Sequence, residues 1–332
     1  MSTAWVSSWP TASLALANSD LSETVANYLG LASPACAPFV GKGILGSCHK
    51  VLDPWGHILL TDNRLVNKRN ARTNMHDTLV YSLSSFLHEA GIQHATDVVG
   101  LFHSCVAPTC RPGLLSTSNL VPDFAIQEGA PTPGGERLAD VKTIVQCPTR
   151  YKRAAVERRR DGSRSPVDER QHSVHHEYVR HAKYADEKFC GVPSDAPTGP
   201  FRQRLAEYGT VLGLVFGHYA EASSNVHSLI HRAAERIAVA TGLQEGCSSL
   251  EVATAAQTRR LYRTFSIVCH RERARLVLQG LQYVGDGRAA AAAQREQYFR
   301  RAHYQERQQA YQTAGGPFVF RTSSRRGAWR PD

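Results

Sequence analysis

The chain has 332 residues, with 39 lysine and arginine residues against 29 aspartate and glutamate residues, which gives a net charge of plus ten. Its hydrophobic fraction of 42% is enough for a sizeable core, and since no segment reaches the roughly 20 apolar residues of a membrane-spanning helix, no membrane partner is expected. The eight cysteines include no pair spaced two residues apart, which favours reduced thiols in a nuclear or cytoplasmic protein over a secreted one.

The first periodic segment along the chain is an amphipathic helix predicted over residues 77–90. Its apolar residues recur at helical spacing, and Gly91 follows as the expected C-terminal cap. A strand is predicted next, over residues 98–102. We interpret residues 1–70 as an N-terminal extension and residues 71–245 as the core of the protein.

Two further segments, 121–126 and 138–146, are short, alternating and rich in β-branched residues, so each is predicted to be a strand. The loop between them is rich in glycine and proline, which break regular structure. Strands joined in this way form a hairpin, which places Asp123 beside Asp140. Because side chains two residues apart leave a strand on the same face, Lys142 points where Asp140 points.

Two carboxylates and an ammonium group in one small volume suit phosphodiester hydrolysis. Mg²⁺ prefers oxygen ligands and keeps several waters, so Asp123, Asp140 and the backbone carbonyl of Val141 are enough to hold it; Mn²⁺ is the alternative ion. A bound metal polarises the phosphate and lowers the pKa of a coordinated water. Lys142 is the candidate for orienting that water or for offsetting the charge that develops.

Each half of this pattern also has an ordinary explanation. Pro-Asp is a common turn dipeptide, and Asp-x-Lys on an exposed strand is usually solvated charge. The chain has only seven lysines against thirty-two arginines, however, and one of the seven lies two residues after Asp140. The order of the two halves and their hairpin context favour the catalytic interpretation.

The elements after the hairpin complete the core. Residues 168–189 carry apolar positions at helical spacing. Residues 210–216 are nearly all apolar, which is typical of a strand that is covered on both faces. A last core helix follows the capping cluster at residues 223–225. The predicted order is therefore helix, three strands, helix, strand, helix, an α/β fold.

This order and the Pro-Asp…Asp-x-Lys pattern resemble the PD-(D/E)XK nucleases, whose restriction-endonuclease-like core is an α/β sandwich with a metal site on a hairpin. The fold usually supplies one more acid upstream. Glu89, on the first helix, and Asp97, at the first strand, are both candidates. Glu89 is preferred, because helix acids reach the hairpin in many relatives. The ordinary alternatives are an exposed helix-end carboxylate and a turn that leads into a strand.

The flanking residues are similar to the restriction-like endonuclease module of site-specific non-LTR retrotransposons. In that module a zinc knuckle precedes the nuclease motifs. Cys48 and His57 match two of its ligands, but Leu45 and Asp62 stand at the other two positions, so zinc is not expected. Residues 74–77, Asn-Met-His-Asp, resemble the motif that opens the first helix.

A second motif of that module lies on the helix after the hairpin. Arg180, Lys183 and Tyr184 resemble it, with arginine in place of the first lysine. The resemblance implies that these three residues contact the substrate or support Lys142, and that the protein is a DNA-cleaving module.

Positive charge is concentrated at the C-terminal end. From Glu251 onward there are fifteen arginines against six acidic residues, a net charge of plus nine. Residues 251–284 are predicted to form an arginine-rich helical segment, and residues 285–332 a basic, partly disordered tail. Such segments bind phosphate backbones through counterion release, although a solvated tail that only aids solubility is an equal alternative.

The sequence therefore predicts a Mg²⁺-dependent endonuclease that hydrolyses DNA, with RNA as an alternative substrate and a retroelement as its possible origin. Two other hypotheses stay open. One is a catalytically inactive nucleic-acid-binding protein that retains the nuclease fold, and the other is an interaction protein whose basic tail recruits an acidic partner.

Overall fold

The computed structural model describes residues 3–7, 15–44, 47–61, 68–106, 120–127, 136–144, 165–193, 195–242 and 246–285. The hairpin loop at residues 128–135 and the tail beyond residue 285 lie outside these ranges, and so do the predictions that were made for them. Among the described residues, no helix is both long enough and apolar enough to cross a membrane.

The described chain contains seven α-helices and six strands. The helices are α1 (Asn18–Tyr28), α2 (His57–Thr61), α3 (Lys68–Glu89), α4 (Pro166–Cys190), α5 (Pro200–Ala206), α6 (Ser224–Thr241) and α7 (Leu250–Gly280). The strands are β1 (Gly43–Ile44), β2 (Ser47–Val51), β3 (His94–Thr96), β4 (Phe124–Gln127), β5 (Glu136–Thr143) and β6 (Leu212–Phe216). From α3 to α6 the predicted order of helix, three strands, helix, strand and helix is found, with the short helix α5 added before β6.

A mixed four-stranded sheet with the order β3-β4-β5-β6 forms the centre of the fold. The pairs β3-β4 and β4-β5 are antiparallel, as the predicted hairpin requires, whereas β5 and β6 are parallel. A parallel pair needs a long crossover connection, and α4 and α5 supply it. The strands β1 and β2 form a separate antiparallel pair.

Local signals place the ends of the crossover helix α4. The side chain of Ser165 accepts a hydrogen bond from the backbone N–H of Asp168, 3.3 Å away, and Pro166 occupies the first helical position. Both are favoured at helix starts. Gly191 ends the helix with φ of 64°, a left-handed conformation that glycine adopts without strain.

Helices cover both faces of the sheet, which makes the molecule an α/β protein. On one face, α3, α6 and α7 pack in a core that includes Leu79, Phe124, Val141, Phe216 and Phe265. On the other face, α4 and α5 enclose a second apolar cluster, which includes Leu138, Val174 and Phe201.

The arginine-rich helix α7 belongs to the main core and is not an extension of it. Leu261, Phe265 and Val277 are fully buried, and α7 packs against α1, α3 and α6. The N-terminal segment joins the same core through Cys36, Leu52, Leu59 and other residues. Residues from the predicted 1–70 extension and from the 251–284 segment therefore share one apolar core with residues of the predicted 71–245 core.

The first strand also lies elsewhere than expected. It is β3 at residues 94–96, not at 98–102, which form turns. Asp97 and Gly100 have positive φ angles of 49° and 93°, and this conformation interrupts an extended strand. Val98 and Val99, whose β-branched side chains predicted a strand, therefore follow the end of β3 and are not part of it.

Candidate active site

The register of the central hairpin brings Asp123 and Asp140 together. Phe124 lies opposite Ala139, so one further step along the register puts Asp123 opposite Asp140. Directly opposed side chains of antiparallel strands share a face, with Cβ atoms about 5 Å apart. Both carboxylates are buried, with exposed fractions of 6% and 3%.

Asp123 is held by two donors that stabilise its charge. The backbone N–H of Val141 donates to Asp123 Oδ2 over 2.7 Å, and His76 Nε2 lies 3.0 Å from the same oxygen. Burial alone would raise the pKa of Asp123, but the hydrogen bond and charge of His76, with the Val141 N–H, lower it below its ordinary value. Asp123 is therefore ionised at neutral pH.

His76 contacts two carboxylates from its position on α3. Its Nδ1 lies 3.2 Å from Asp77 Oδ1, while Nε2 faces Asp123. Burial lowers the pKa of His76, but Asp123 and Asp77 outweigh it and raise the pKa to about 9. The imidazolium therefore neutralises part of the charge of Asp123.

Asp140 is the opposite case, because burial dominates. Burial and the neighbouring Asp123 raise the pKa of Asp140 to about 6, although the charge of Lys142 lowers it in part. Lys142 Nζ lies 2.5 Å from Asp140 Oδ2. This contact is an ion pair, and the buried Oδ2 has no further hydrogen-bond partner among the described residues.

Tyr178 of α4 closes the cluster from above the sheet. It is buried among the apolar residues on that face, and burial, together with the charges of Asp140 and Asp123, raises the pKa of its hydroxyl. The close approach of α4 depends on Gly213 of β6, which pairs with Asp140. A Cβ at Gly213 would lie 2.8 Å from the carbonyl oxygen of Gln171, which precedes Tyr178 on the same helix.

The structure does not bring Glu89 to this cluster. Glu89 is the last residue of α3, and its Oε1 pairs with Arg260 Nη2 at 2.6 Å. His76 marks the point of α3 that meets Asp123, and the 13 residues from there to Glu89 span about 20 Å of helix. Asp97 is exposed in the turn after β3. Asp97 is nevertheless adjacent to Asp123, since its backbone N–H donates to the Asp123 carbonyl over 3.0 Å. Among the described residues, the helix side chain that contacts the Asp123 carboxylate is His76 and not Glu89.

The three predicted substrate-binding residues lie on the outer side of α4. Arg180, Lys183 and Tyr184 are exposed, and Tyr184 is 55% accessible. His181 lies nearer to the cluster, since burial and the charges of Arg180 and Lys142 lower its pKa. The contact of Arg180, Lys183 and Tyr184 with substrate stays a prediction.

The donor set of the cluster fits a hard divalent cation. Two buried carboxylates lie side by side. Asp140 Oδ2 pairs with the Lys142 ammonium, so a metal ion held by both carboxylates would share this oxygen with Lys142. Val141, whose carbonyl was proposed as a ligand, lies between them in the folded hairpin, and its N–H fixes Asp123. Among the described residues, no three His, Cys, Asp or Glu side chains are grouped as potential metal ligands, so backbone and water would have to complete such a site.

Sequence reasoning missed His76 and Tyr178 as members of the site. His76 lies within the segment 74–77, whose resemblance to the retroelement motif was noted without a role for the imidazole. Tyr178 is one of the positions at helical spacing in residues 168–189, which predict a packing face, and it does pack in the second apolar cluster. The signal for both was a polar atom on an otherwise buried helix face.

The cysteine and histidine of the degenerate knuckle do not form a described zinc site. His57 begins α2 and stacks on Trp55, with ring planes 14° apart. The side chain of Cys48 lies outside the described residues.

Comparison of the chain with protein-family models, curated proteins and solved structures gives no match.

Proposed function

We propose that this protein is a divalent-metal-dependent nuclease with a restriction-endonuclease-like core, acting on DNA. The observation that carries the proposal is the buried pair of Asp123 and Asp140 with the ammonium of Lys142 against it. Two acids whose environments push their pKa values apart are typical of catalytic sites. The mixed sheet, with the hairpin β4-β5 at its centre and helices on both faces, supports the proposal.

Asp123 and Asp140 would hold Mg²⁺ or Mn²⁺, with the Val141 carbonyl beside them. When bound, such an ion supplies charge stabilisation at the phosphate and a water of lowered pKa. Hydrolysis forms a bond between water oxygen and phosphorus and breaks the bond to the leaving oxygen, which takes up a proton.

The protein's own groups prepare this reaction. His76 and the Val141 N–H keep Asp123 ionised and fix its orientation. Lys142 holds a positive charge at the mouth of the site, where it can orient the attacking water and offset charge on the phosphate. Tyr178 and the apolar residues around it exclude water from behind Asp140, which strengthens each electrostatic interaction there.

Cleavage assays test the proposal directly. Wild-type protein should cleave duplex, single-stranded or branched DNA in Mg²⁺ or Mn²⁺ and should lose this activity in EDTA. Asp140→Asn and Lys142→Ala should each lower the rate about a hundredfold or more, the usual cost of one preorganised group. Only Asp140→Asn should also lose the calorimetric signal of Mn²⁺ binding.

An aspartate and a lysine outside the site serve as matched controls. Asp195→Asn, in the loop before α5, and Lys42→Ala, beside β1, change the same charges away from the cluster and should keep wild-type cleavage. If no DNA or RNA form is cleaved while salt-dependent DNA binding persists, the protein is instead the inactive nucleic-acid-binding form of the fold. Equal cleavage by both site variants would place the active site elsewhere.

A further inference from the structure

A second candidate site lies in a cavity of about 280 Å³ away from the aspartate cluster. Helix α1, the start of α2, the loop after β6 and helix α7 all contribute to its wall. The side chains that matter are Glu23, Asn27, Trp55, His57, Tyr219 and Arg273. None of them takes part in the proposed cleavage.

Arg273 is the unusual group of this cavity. Its side chain comes from α7 and is only 5% exposed. Nε donates to His218 Nε2 over 2.9 Å, whereas Nη1 is buried without a hydrogen-bond partner. Burial lowers the pKa of Arg273 to about 10, so the guanidinium is still charged at neutral pH. A buried charged donor without a partner is costly, and Arg273 lines the cavity, so a ligand that brings an acceptor to this guanidinium would offset the cost.

Glu23 places the opposite charge in the same cavity. It is 2% exposed, and its Oε1 accepts hydrogen bonds from Ser33 Oγ at 2.9 Å and from the Ala35 N–H at 2.8 Å. Among the contacts of the described residues, Glu23 and Arg273 do not form an ion pair, although the charge of Glu23 acts to raise the pKa of Arg273. A carboxylate has about four acceptor positions, so Glu23 can still accept from a ligand.

Trp55 supplies an aromatic wall that the local structure holds in place. Its backbone N–H donates to Asp53 Oδ1 over 3.0 Å, and its indole Nε1 donates to the carbonyl of Gly30 over 3.3 Å. The ring of His57 stacks behind it at 6.0 Å. Trp55 as a whole residue is nevertheless 44% exposed, and it lines the cavity, so its planar ring is available to a ligand.

We propose that this cavity binds a guanine base. A simple anion would suit Arg273 but would be repelled by Glu23, whereas a ligand with acceptors on one edge and donors on another satisfies both. Guanine has this pattern: its O6 and N7 accept from an arginine fork, and its N1–H and amino group can donate to a carboxylate. Its planar ring can stack on Trp55, as bases stack on aromatic side chains in single-strand recognition.

The size of the cavity agrees with one base. Sites for small molecules usually enclose about 300–1,000 Å³, and 280 Å³ lies just below that range. The base could belong to a free nucleotide or to an unpaired residue of a nucleic-acid strand. Both sources present the same edges, so the recognition is the same.

Titration of the full-length protein with single nucleotides tests this proposal. GMP should bind at least about tenfold more tightly than AMP, CMP or UMP, since a correct bidentate arginine contact discriminates by this order. Binding should quench tryptophan fluorescence and give a calorimetric signal. A single guanine within an oligo-dT strand, compared with oligo-dT alone, separates the strand-borne base from the free nucleotide.

Three variants identify the site. Trp55→Ala, Glu23→Gln and Arg273→Lys should each weaken GMP binding about tenfold or more, because they remove the stacking surface, the acceptor charge and the planar fork. Arg260→Lys, on the same helix, and Asp140→Asn, in the proposed nuclease site, should bind GMP as the wild type does. Circular dichroism establishes that each variant is folded.

The outcomes separate this proposal from the nuclease proposal. Selective GMP binding that depends on Trp55 and Arg273 supports the guanine site whether or not the protein cleaves DNA, and guanine-dependent binding only within the strand also supports it. Equal binding of all four nucleotides, binding that survives Arg273→Lys unchanged, or no response to GMP and to the guanine-containing strand would overturn it.

Discussion

The two aspartates of the candidate active site differ in what surrounds each carboxylate. Asp123 accepts from a protonated imidazole and a backbone N–H, which together outweigh burial and lower its pKa. Asp140 has the ammonium of Lys142 nearby, but burial and the charge of Asp123 still raise its pKa to about 6. At pH 8 both are ionised, and the buried charge of Asp140 lowers the free energy of unfolding.

Replacing Asp140 by asparagine should therefore stabilise the protein while removing its proposed activity. A carboxyl whose folded pKa is raised from 3.8 to about 6 destabilises the fold increasingly as pH rises through this window, and the full cost is present above pH 6. In EDTA at pH 8 we expect Asp140→Asn to raise the free energy of unfolding by about 1–3 kcal/mol. Urea denaturation measures this change.

The stability that Asp140→Asn gains should depend on pH, and this dependence controls for effects unrelated to the charge of Asp140. At pH 5 the wild-type carboxyl is largely protonated in the folded state, so the difference between variant and wild type should shrink. Mg²⁺ should stabilise the wild type but not the variant, because a ligand that binds only the folded state adds to its stability. A variant that is less stable than the wild type at pH 8 would mean that Lys142 already compensates the charge of Asp140.

His76 should make a contribution to stability with the opposite pH dependence. Its folded pKa of about 9 exceeds the ordinary 6.5, so its stabilisation is fully present below pH 6.5 and is lost as pH rises through 9. In EDTA the wild type should lose up to about 3 kcal/mol of unfolding free energy over this range. His76→Gln should lack this loss, as urea denaturation at pH 6 and pH 9.5 would show.

A matched variant on the same helix controls for general effects of high pH. His88→Gln lies at the far end of α3 and should keep the wild-type loss between pH 6 and pH 9.5. An unchanged loss in His76→Gln would assign the pH dependence to another group. His76→Gln removes the imidazolium partner of Asp123, so this variant should also be less stable than the wild type at pH 6.

At the scale of secondary-structure elements, the site depends on how closely α4 lies over the sheet. Gly213 lets the helix backbone approach β6, and the same helix presents Tyr178 to Asp140. We expect Gly213→Ala to cost about 1–3 kcal/mol, since overpacking forces backbone shifts, and to lower cleavage because Tyr178 moves away from Asp140. Thermal denaturation and the cleavage assay measure the two effects.

Gly43→Ala is the matched control for this substitution. Gly43 lies in a strand, has no positive φ, and a Cβ there would have no neighbour within 4 Å. Its stability should stay within about 0.5 kcal/mol of the wild type. If Gly213→Ala behaved like Gly43→Ala, the helix would have room to spare above the sheet.

The elements that sequence predicted well are those whose signal is local. Alternation over residues 121–126 and 138–146 predicted β4 and β5 with their pairing, and the Ser165–Gly191 boundaries of α4 have ordinary capping chemistry. The strand β3 has only three residues and no apolar alternation, so its position was missed. It is defined by pairing with β4, a contact between residues about 30 apart in sequence.

The same distinction applies to the site. Asp123, Asp140 and Lys142 follow from one hairpin and from the two-residue repeat of a strand, so sequence sufficed to bring them together. His76 meets Asp123 across 47 residues, and its role depends on how α3 docks on the sheet. Glu89 on the same helix was the preferred candidate. Each residue of a helix points in a different direction and lies about 1.5 Å further along the axis than the one before, so only the packed structure shows which polar residue of α3 meets the sheet.

At the scale of the whole molecule, one core joins segments from both ends of the described chain. Cys36 and Leu59 from the N-terminal part and Leu261 and Val277 from α7 belong to the same buried cluster as Phe216 of the central sheet. The high arginine content of α7 made it look like a surface helix. In the folded chain several of these arginines are neutralised by acidic residues, so the helix can pack in the core. Arg275, for example, lies 3.6 Å from the buried Asp20 of α1.

We expect nonspecific DNA binding to depend mainly on residues 286–332, because several arginines of α7 are held in ion pairs. These residues have nine arginines against four acidic residues, a net charge of plus five. Truncation after Gly285 should leave the core folded, weaken DNA affinity, and reduce the slope of log affinity against log salt by up to about 0.9 for each phosphate that the tail no longer neutralises. Fluorescence anisotropy across a salt series measures both, with cleavage at saturating DNA expected to persist.

Truncation after Leu250 should instead unfold the protein, because it removes α7 from the core. A folded 1–250 fragment would contradict the shared core, and an unchanged salt slope after truncation at Gly285 would show that the tail does not bind DNA.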